Sequence, residues 1–589
     1  MNKIATRLEL LRSKMKEVNI EAYVVSGNDN HGSEYVDDYY KTRKWISNFS
    51  GSAGSVVVTL DKALLWVDSR YYIQGAQQIK ESEFILMKSD QGEDKEPAKW
   101  LMQNIGAAKR VGFDGNITPF SDYKVLNNTL KEKSISAVDV GDLFETIWQD
   151  RPTISQKGIE ALDESIAGVS SQDKIKKIQA HLKKEEYDYT IISSLDDIAW
   201  TMNLRGFDIR FNRLFYAYLI IGCNEAFLFC EKEKFNKEVI ERLPVTLVDY
   251  NSLISFIKKE IKGKKRLCYN PNKTTYRIKE AFDKEVHPVE SIEFSTLLKA
   301  QKNETELKGM RKAHLLDGVA IVKLLSYLEE TKEVLTELSV AQKLEEFRKE
   351  SSDYIESSFT TIAGFKEHGA LAHYSATSES SVSLKGDGLL VLDSGGQYKS
   401  GTTDITRTLL FGEATKQMKR DYTLVLKGNL ALAKQLFPSG TCGYQLDILA
   451  RQFMWQEGIN YGHGTGHGVG FCLNVHEGPQ NISPRAVTVA LKEGMILSNE
   501  PGIYREGEYG IRVENLVVVQ EVDKTEFGTF LGFEVLTIAP FERRLIDKSL
   551  LTENEIEMVD SYHSWVYSLL KEMLCPQDRS YLERATRSL

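Results

Sequence analysis

The 589-residue chain has few cysteines, no excess of positive charge and no long apolar run, and each absence narrows its possible functions. Its six cysteines form no CxxC pair and no disulfide-like framework, which fits a reducing cytoplasm. The net charge of −9 comes without a basic cluster, so we expect no nucleic-acid partner. No apolar run is long enough to span a bilayer, so we expect no membrane partner. A chain of this length is too long to fold around one hydrophobic core, so we predict about three or four domains.

Within the first 300 residues, the same order of predicted helices and strands occurs twice. A helix, the strand "AYVVSG" and a Gly-rich turn with two apolar strands come first, and after about residue 150 a similar order returns with "DYTIISSL" and "LFYAYLIIGCNEAFLFC". We therefore predict a duplicated α/β module, although common helix–strand alternation would also explain the pattern. The first 20 residues lack the apolar core of a signal peptide and predict an amphipathic helix. Its apolar face carries Ile4, Leu8, Leu11, Met15 and Val18.

A different pattern begins near residue 300. A long helical segment with Asn303 as its predicted N-cap is followed by a second helix, and from about residue 357 the chain reads as strands joined by Gly-rich turns. This order predicts an α+β domain, followed by a polar helical tail. We expect two α/β domains at 1–155 and 156–300, an α+β domain at 301–540 and a C-terminal extension at 541–589.

Carboxylates occur at unexpected places in this third region. The stretch "LVLDSGGQYKSGTTDITRTL" reads as two apolar strands with Asp393 and Asp404 at their inner ends, and its turn predicts a hairpin that brings the two together. A buried carboxylate is costly unless a positive group compensates it. Glu500 in "SNEPGIY" and Glu514 in "GIRVEN" add two more, and histidines occur in "LAHY" and "GHGTGHGVGFCLNVHEGP". Each residue alone has a structural explanation, but four carboxylates in one domain would repel each other without a cation.

The residue types also indicate the kind of ion. Mostly carboxylate oxygen with one imidazole favours a hard ion such as manganese, and five ligands suit two ions that share carboxylates and a water. The "HGTGH" stretch lacks the glutamate of a helical zinc-protease motif, and Gly464, Gly466 and Gly468 predict a loop with close backbone approach. In "IRVENLV" the period of two puts Arg512 and Glu514 on one face, where Arg512 would support a ligating carboxylate.

Taken in order, these motifs resemble the creatinase/methionine aminopeptidase family with the "pita-bread" fold, and within it the three-domain Xaa-Pro aminopeptidases (aminopeptidase P). "AHYS", "DSGGQYKSGTTDITRT", "HGTGHGVG", "VHEGP", "NEPGIY" and "GIRVEN" match the catalytic domain. "FSGSAGSVVVT" and "SLDDIAWTMNLRG" match the two N-terminal domains, and "FLGFEVLTIAPFERRLID" matches the tail. The resemblance implies two creatinase-type N-terminal α/β domains followed by a pita-bread α+β catalytic domain.

The resemblance also implies a role for individual residues. Two divalent ions, usually manganese, would be held by Asp393, Asp404, His467, Glu500 and Glu514. Asp404 and Glu514 would bridge both ions, and Glu500 would also take a proton from the bridging water. The groups that position the substrate and stabilise the reacting carbonyl would be His373, His463 and His476. Arg512 and Tyr504 would support the ligands or contact the substrate.

The implied activity is hydrolysis of the bond between any N-terminal residue and a following proline, by a hydroxide that bridges two metal ions. Prolidase, which cleaves Xaa-Pro dipeptides, shares the fold and ligand set but usually has a single N-terminal domain. Methionine aminopeptidase normally lacks such domains, and a non-catalytic pita-bread binding protein typically loses the ligands. The resemblance further implies a homodimer, and we expect a cytoplasmic location.

Overall fold

The computed structural model describes residues 3–89 and 96–589, and the chain divides into two compact units, Met1–Leu297 and Leu298–Leu589. Each unit has its own sheets and its own buried apolar clusters. Within the described ranges, no helix is both long and apolar enough to cross a lipid bilayer.

The first half of Met1–Leu297 is a six-stranded sheet with helices packed against it. The strands run in the order β4-β3-β2-β1-β5-β6, with β2 antiparallel to both neighbours and the other pairs parallel. Its strands are β1 (Ala22–Val25), β2 (Ser55–Thr59), β3 (Ala63–Val67), β4 (Phe84–Lys88), β5 (Arg110–Phe113) and β6 (Ser136–Asp139). Its helices are α1 (Lys3–Glu17), α2 (Thr42–Ser47), α3 (Tyr72–Ile79), α4 (Glu96–Asn104) and α5 (Phe120–Lys131).

The second half repeats this sheet. Its order is β12-β11-β10-β8-β13-β14, and β10 is antiparallel to both neighbours while the other pairs are parallel. The strands are β7 (Ile159–Ala161), β8 (Tyr189–Ile192), β9 (Leu204–Gly206), β10 (Tyr218–Gly222), β11 (Ala226–Phe229), β12 (Thr246–Val248), β13 (Arg266–Tyr269) and β14 (His287–Glu290). The helices are α6 (Glu164–Ala167), α7 (Ser171–Lys184), α8 (Leu195–Met202), α9 (Lys237–Glu241), α10 (Leu253–Glu260) and α11 (Tyr276–Glu280), and α12 (Phe294–Ala300) begins here and ends within Leu298–Leu589. The predicted duplication is confirmed in strand order and direction.

Helix α1 shows why the sequence pattern predicted this architecture. Four of its predicted apolar positions, Ile4, Leu8, Leu11 and Met15, are buried in one cluster with the strands, and Val18 packs against the same cluster. Burial of each such side chain contributes about 1.5–3 kcal/mol, so the apolar face fixes the helix on the sheet.

Leu298–Leu589 is built from antiparallel sheets and six helices, as the α+β prediction required. The helices are α13 (Glu304–Glu330), α14 (Glu337–Lys349), α15 (Lys416–Ala433), α16 (Gly443–Trp455), α17 (Glu553–Leu570) and α18 (Pro576–Ala585). The strands up to the first hairpin are β15 (Tyr354–Ser357), β16 (Ile362–Phe365), β17 (Gly388–Ser394), β18 (Gly396–Tyr398), β19 (Gly401–Thr402) and β20 (Ile405–Phe411). The later strands are β21 (Phe437–Pro438), β22 (Gly466–Gly468), β23 (Glu477–Ile482), β24 (Ile496–Asn499), β25 (Gly502–Arg505), β26 (Tyr509–Arg512), β27 (Asn515–Thr525) and β28 (Gly528–Val535).

The predicted hairpin and the predicted helix cap are both present. Strands β17 and β20 pair antiparallel, with Asp393 opposite Thr406, in the three-stranded sheet β16-β17-β20. The largest sheet of this unit has the order β21-β28-β27-β24-β22-β23. Asn303 caps α13 through a capping box with Glu306, which satisfies two backbone N–H groups at the start of the helix.

A buried ion pair holds the turn of the hairpin. Arg348 on α14 donates to Asp317 on α13 at 2.7 Å, and both side chains are almost fully buried. Asp317 also accepts hydrogen bonds from the Tyr398 hydroxyl at 2.8 Å and the Thr403 hydroxyl at 3.0 Å, which both lie between Asp393 and Asp404. The two helices therefore fix the segment that joins the two aspartates.

Candidate metal centre

The five residues predicted as metal ligands come from five separate segments of the same unit. Ligand atoms of Asp404, His467 and Glu514 all lie within 4.8 Å of one another, which is close enough for one ion to reach all three. His467 Nε2 lies 3.6 Å from Glu500 Oε1 and 3.5 Å from Asp404 Oδ2. Asp393 stands at the end of β17, where Arg512 Nη2 donates to its Oδ2 at 2.5 Å.

Burial and mutual repulsion raise the pKa of three of these carboxylates, those of Asp393, Glu500 and Glu514. Burial raises the pKa of Asp393 to about 7, with Arg512 opposing the shift and Asp404 and Glu500 adding to it. Burial and neighbouring carboxylates also raise the pKa of Glu500 and, more strongly, that of Glu514. Such a cluster is unstable as a set of bare anions, and a cation would compensate it.

Three carboxylate oxygens at this site have no hydrogen-bond partner in the part of the chain that the structure describes. Among the described residues, none donates a hydrogen bond to the buried atoms Asp393 Oδ1, Asp404 Oδ1 or Glu514 Oε1. A buried oxygen without a donor is costly, because it loses its hydration without compensation. His467 Nδ1 donates to the Gly468 carbonyl at 2.8 Å, so in the neutral ring the lone pair that can bind an ion lies on Nε2. The donor set therefore fits divalent cations.

Two glycines allow the backbone to pack closely enough to bring His467 into the site. A Cβ at Gly466 would lie 1.9 Å from the Ser498 carbonyl, and one at Gly468 would lie 2.3 Å from the Glu477 carbonyl. Neither position has room for a side chain, so β22 can pack between β23 and β24 only with glycine on both sides of His467. The "HGTGH" stretch is not helical and begins as a loop, as predicted, but His467 itself lies in the short strand β22 (Gly466–Gly468), which the sequence did not predict.

The remaining predicted residues surround this cluster. The His476 ring lies 4.4 Å from the His467 ring, at a steep angle. His463 Nδ1 donates to the Gly464 carbonyl at 2.7 Å, and its Nε2 is 2.8 Å from the Tyr504 hydroxyl. Arg512 Nη1 donates to that hydroxyl at 2.6 Å. These contacts make His463, Tyr504, Arg512 and Asp393 one hydrogen-bonded chain.

His373 lies in the loop that follows β16 and its short 3₁₀ helix. The Ala372 carbonyl, just before it, accepts a hydrogen bond from Arg512 Nη1 at 3.2 Å. The loop that carries His373 is therefore tied to the guanidinium that also holds Asp393.

Two hydroxyl groups at the site were not predicted from the sequence. The Thr406 hydroxyl donates to Glu514 Oε2 at 2.8 Å and accepts from Arg512 Nε at 3.2 Å, so Arg512 and Glu514 do face the same side. The Ser498 hydroxyl donates to Glu500 Oε1 at 3.1 Å and accepts from the His467 backbone at 2.9 Å. Their only signal in the sequence is a small polar residue within an apolar strand.

Models of known families match almost the whole chain. Residues 308–521 match metallopeptidase family M24, and residues 529–589 match the C-terminal region of that peptidase. Residues 7–147 and 150–306 each match a creatinase/prolidase N-terminal domain. The chain belongs to metallopeptidase family M24. The predicted family and fold, two creatinase-type domains followed by the catalytic domain, are confirmed.

The most similar proteins include two relatives and one solved structure. The chain is 37% identical to Xaa-Pro aminopeptidase 1 of Dictyostelium discoideum, over 95% of this chain and 92% of that protein. It is 41% identical to a probable Xaa-Pro aminopeptidase P of Sordaria macrospora, over 93% of each. The structure of X-prolyl aminopeptidase from Caenorhabditis elegans, described as a cytosolic enzyme with a di-nuclear active site, superposes with a TM-score of 0.95 at 32% identity and covers both chains fully.

Proposed function

We propose that this chain is a metal-dependent Xaa-Pro aminopeptidase, which removes an N-terminal residue by hydrolysing its bond to a following proline. The observation that carries the proposal is the cluster of predicted ligands, in which Asp404, His467 and Glu514 lie close enough for one ion and Glu500 lies 3.6 Å from His467. Three buried carboxylate oxygens of the predicted ligands lack a donor among the described residues. The relatives named Xaa-Pro aminopeptidase match over more than nine-tenths of the chain, which supports the same substrate class.

The proposed cofactor is a pair of Mn²⁺ ions. They would be held by Asp393, Asp404, His467, Glu500 and Glu514. Family membership and the di-nuclear site of the C. elegans enzyme support divalent metal ions, and the oxygen-rich ligand set favours manganese. When bound, such ions polarise the scissile carbonyl and lower the pKa of a water molecule.

The residues of the chain supply the proton transfer and the orientation. Glu500, whose carboxylate Ser498 orients, would accept the proton of the attacking water. His476 and His373 would donate hydrogen bonds to the carbonyl oxygen as negative charge develops on it. His463, Tyr504 and Arg512, which form one hydrogen-bonded chain, would keep the substrate side of the site in order. The proline nitrogen would receive the proton that Glu500 holds and leave as a secondary amine.

A peptide panel tests this function and its rivals. With Mn²⁺ added, we expect release of the first residue from Arg-Pro-Pro and no release from the matched peptide Arg-Ala-Pro. Cleavage of the Arg-Pro dipeptide alone would identify a prolidase instead. Hydrolysis of neither Arg-Pro-Pro nor Arg-Pro would favour a non-catalytic protein. Removal of metal with a chelator and readdition of Mn²⁺, Zn²⁺ or Co²⁺ tests the cofactor. Full turnover of protein that elemental analysis finds metal-free would refute the two-ion site.

We also propose a homodimer, for which α16 offers a surface. Tyr444, Ile448 and Trp455 lie on one side of this helix and are exposed by 37%, 50% and 48%. An apolar stripe of this kind is typical of a protein interface. Trp455→Glu should produce monomers in analytical ultracentrifugation, whereas Val334→Glu, which changes an exposed apolar residue far along the chain, should not. A wild-type monomer would refute the proposal.

The domain boundaries and the location in the cell remain proposals. Domains at 1–155, 156–300 and 301–540, with an extension at 541–589, agree with the limits of the matched family models to within about 20 residues. A cytoplasmic location is supported by the C. elegans enzyme, which is described as cytosolic. Limited proteolysis would test the boundaries, and fractionation of cells would test the location.

A further inference from the structure

We infer that three buried charged groups outside the ligand set act as anchors that position the three histidines on the substrate side. The anchors are Glu337 for His373, the Asp447–Arg451 pair for His463, and Glu477 with Lys299 and Lys302 for His476. The inference rests on the proposed function, because it concerns the same site.

The three histidines need such anchors because they all lie outside helices and strands. A residue in a regular element is held by the hydrogen-bond ladder of its backbone, whereas a loop residue depends on the contacts that it and its neighbours make. A misplacement of about 1 Å in an active site can cost on the order of a hundredfold in rate. The contacts of the residues beside each histidine therefore contribute to the position of its ring, together with the contacts of the ring itself.

The anchor beside His373 is Glu337, the first residue of α14, which is completely buried. Its carboxylate accepts hydrogen bonds from the backbone N–H groups of Phe365 (2.8 Å) and Val382 (3.1 Å), from His368 Nδ1 (2.9 Å) and from the Tyr374 hydroxyl (2.9 Å). Tyr374 directly follows His373, so one side chain holds both ends of the loop and the neighbour of the histidine.

The anchor beside His463 is the pair of Asp447 and Arg451, one turn apart on α16 and both buried. Arg451 donates to Asp447 at 2.6 Å, to the Tyr461 carbonyl at 2.8 Å and to the His463 carbonyl at 2.7 Å. The Thr465 hydroxyl donates to the other oxygen of Asp447 at 2.6 Å. The pair therefore forms hydrogen bonds to the loop on both sides of His463.

The anchor beside His476 is Glu477, whose side chain is buried together with two lysines. Lys299 Nζ donates to its Oε2 at 2.8 Å, and Lys302 Nζ donates to its Oε1. The backbone of Glu477 is also in register with Gly468, next to His467. Because Glu477 directly follows His476, its contacts hold the backbone beside His476 in place.

Three conservative variants test the anchors. Tyr374→Phe removes one hydroxyl, Thr465→Val removes one hydroxyl from a buried position, and Lys302→Met leaves one lysine paired with Glu477, so none leaves a buried charge alone. Each should lower kcat by about tenfold, within the range that small misplacements cost, with metal content and KM nearly unchanged. Thr465→Ser keeps the hydroxyl and should restore kcat. A purely structural role predicts a lower Tm with unchanged kcat per bound metal, and that result would overturn the inference.

Double variants show whether each anchor acts through its own histidine. In a His476→Ala background, Lys302→Met should change kcat by less than about twofold, because the group that it positions is gone. Tyr374→Phe should keep its full loss in the same background, because it serves His373. Equal losses from Lys302→Met with and without His476 would overturn the assignment. Failure of the proposed function looks different, because the wild-type protein would then not cleave Arg-Pro-Pro at all.

Discussion

Removal of metal should make the stability of Leu298–Leu589 fall steeply as pH rises. In the metal-free protein the folded-state pKa of Asp393 is raised from 3.8 to about 7. Between these two pKa values the folded chain keeps a proton that the unfolded chain releases, and this retained proton stabilises the folded state. The stabilisation is complete below about pH 4 and is lost as pH rises through about pH 7. Glu500 and Glu514, whose pKa values are also raised, act in the same direction.

The size of the effect follows from the shift. A rise of about three in the pKa of one group corresponds to about 4 kcal/mol. The free energy of unfolding should therefore fall by roughly that amount because of Asp393 alone. For a domain of this size, each kcal/mol lowers Tm by about 2–4 °C, so a drop on the order of 10 °C is expected. His467 adds to it, because Asp404 and Glu500 overcome the effect of burial and raise its pKa to about 9. The charged imidazolium of His467 therefore also stabilises the folded state, and this contribution is lost as pH rises toward about 9.

The assay compares urea unfolding of chelated and Mn²⁺-saturated protein at several pH values. Groups elsewhere in the chain titrate equally in both samples, so the difference between the two free energies isolates the site. That difference should grow by several kcal/mol between about pH 5 and pH 8. Asp393→Asn, which cannot ionise, should reduce the growth. A difference that is constant with pH, or largest at the acid end, would refute the account of the carboxylate cluster.

Three further outcomes are expected. His476→Ala should lower kcat about a hundredfold to a thousandfold with metal retained, since it removes one preorganised donor; lost metal would make His476 a ligand, and unchanged kcat would remove it from the mechanism. Asp404→Asn should abolish turnover and reduce bound metal in elemental analysis, and near-normal turnover would mean that the site is wrongly assigned. Arg348→Met should destabilise the fold by about 3–5 kcal/mol in urea unfolding, because it leaves Asp317 buried without its cation; Asp317→Asn in addition should recover part of this loss, and a Tm unchanged by Arg348→Met would contradict the reasoning.

The parts of the site that could be predicted are those where the residue type conflicts with its surroundings. Asp393 stands out because a carboxylate does not belong at the end of an apolar strand, and the glycines around His467 stand out because they preclude a helix. The duplicated sheets were predictable because the order of strands, turns and helices is visible even where the letters differ.

The supporting contacts could not be predicted, because their residues are ordinary in type and spacing. Asp447 and Arg451 form an i, i+4 pair, which on most helices is a solvated surface contact. Only the fold buries them and points them at the loop with His463. Glu337 at the start of a helix likewise suggests a favourable contact with the helix dipole, whereas in the structure it gathers four donors.

The repeated sheet of Met1–Leu297 has a consequence for how the chain avoids misfolding. Two sheets of identical order in one polypeptide can exchange strands while they form, since an edge of one offers the same pairing direction as the corresponding edge of the other. The four edge strands β4, β6, β12 and β14 have only three to five residues each, and β14 contains Pro288, which cannot donate to a neighbouring strand. Short edge strands, one of them interrupted by proline, make a hybrid sheet unfavourable and so protect the identity of each half during synthesis.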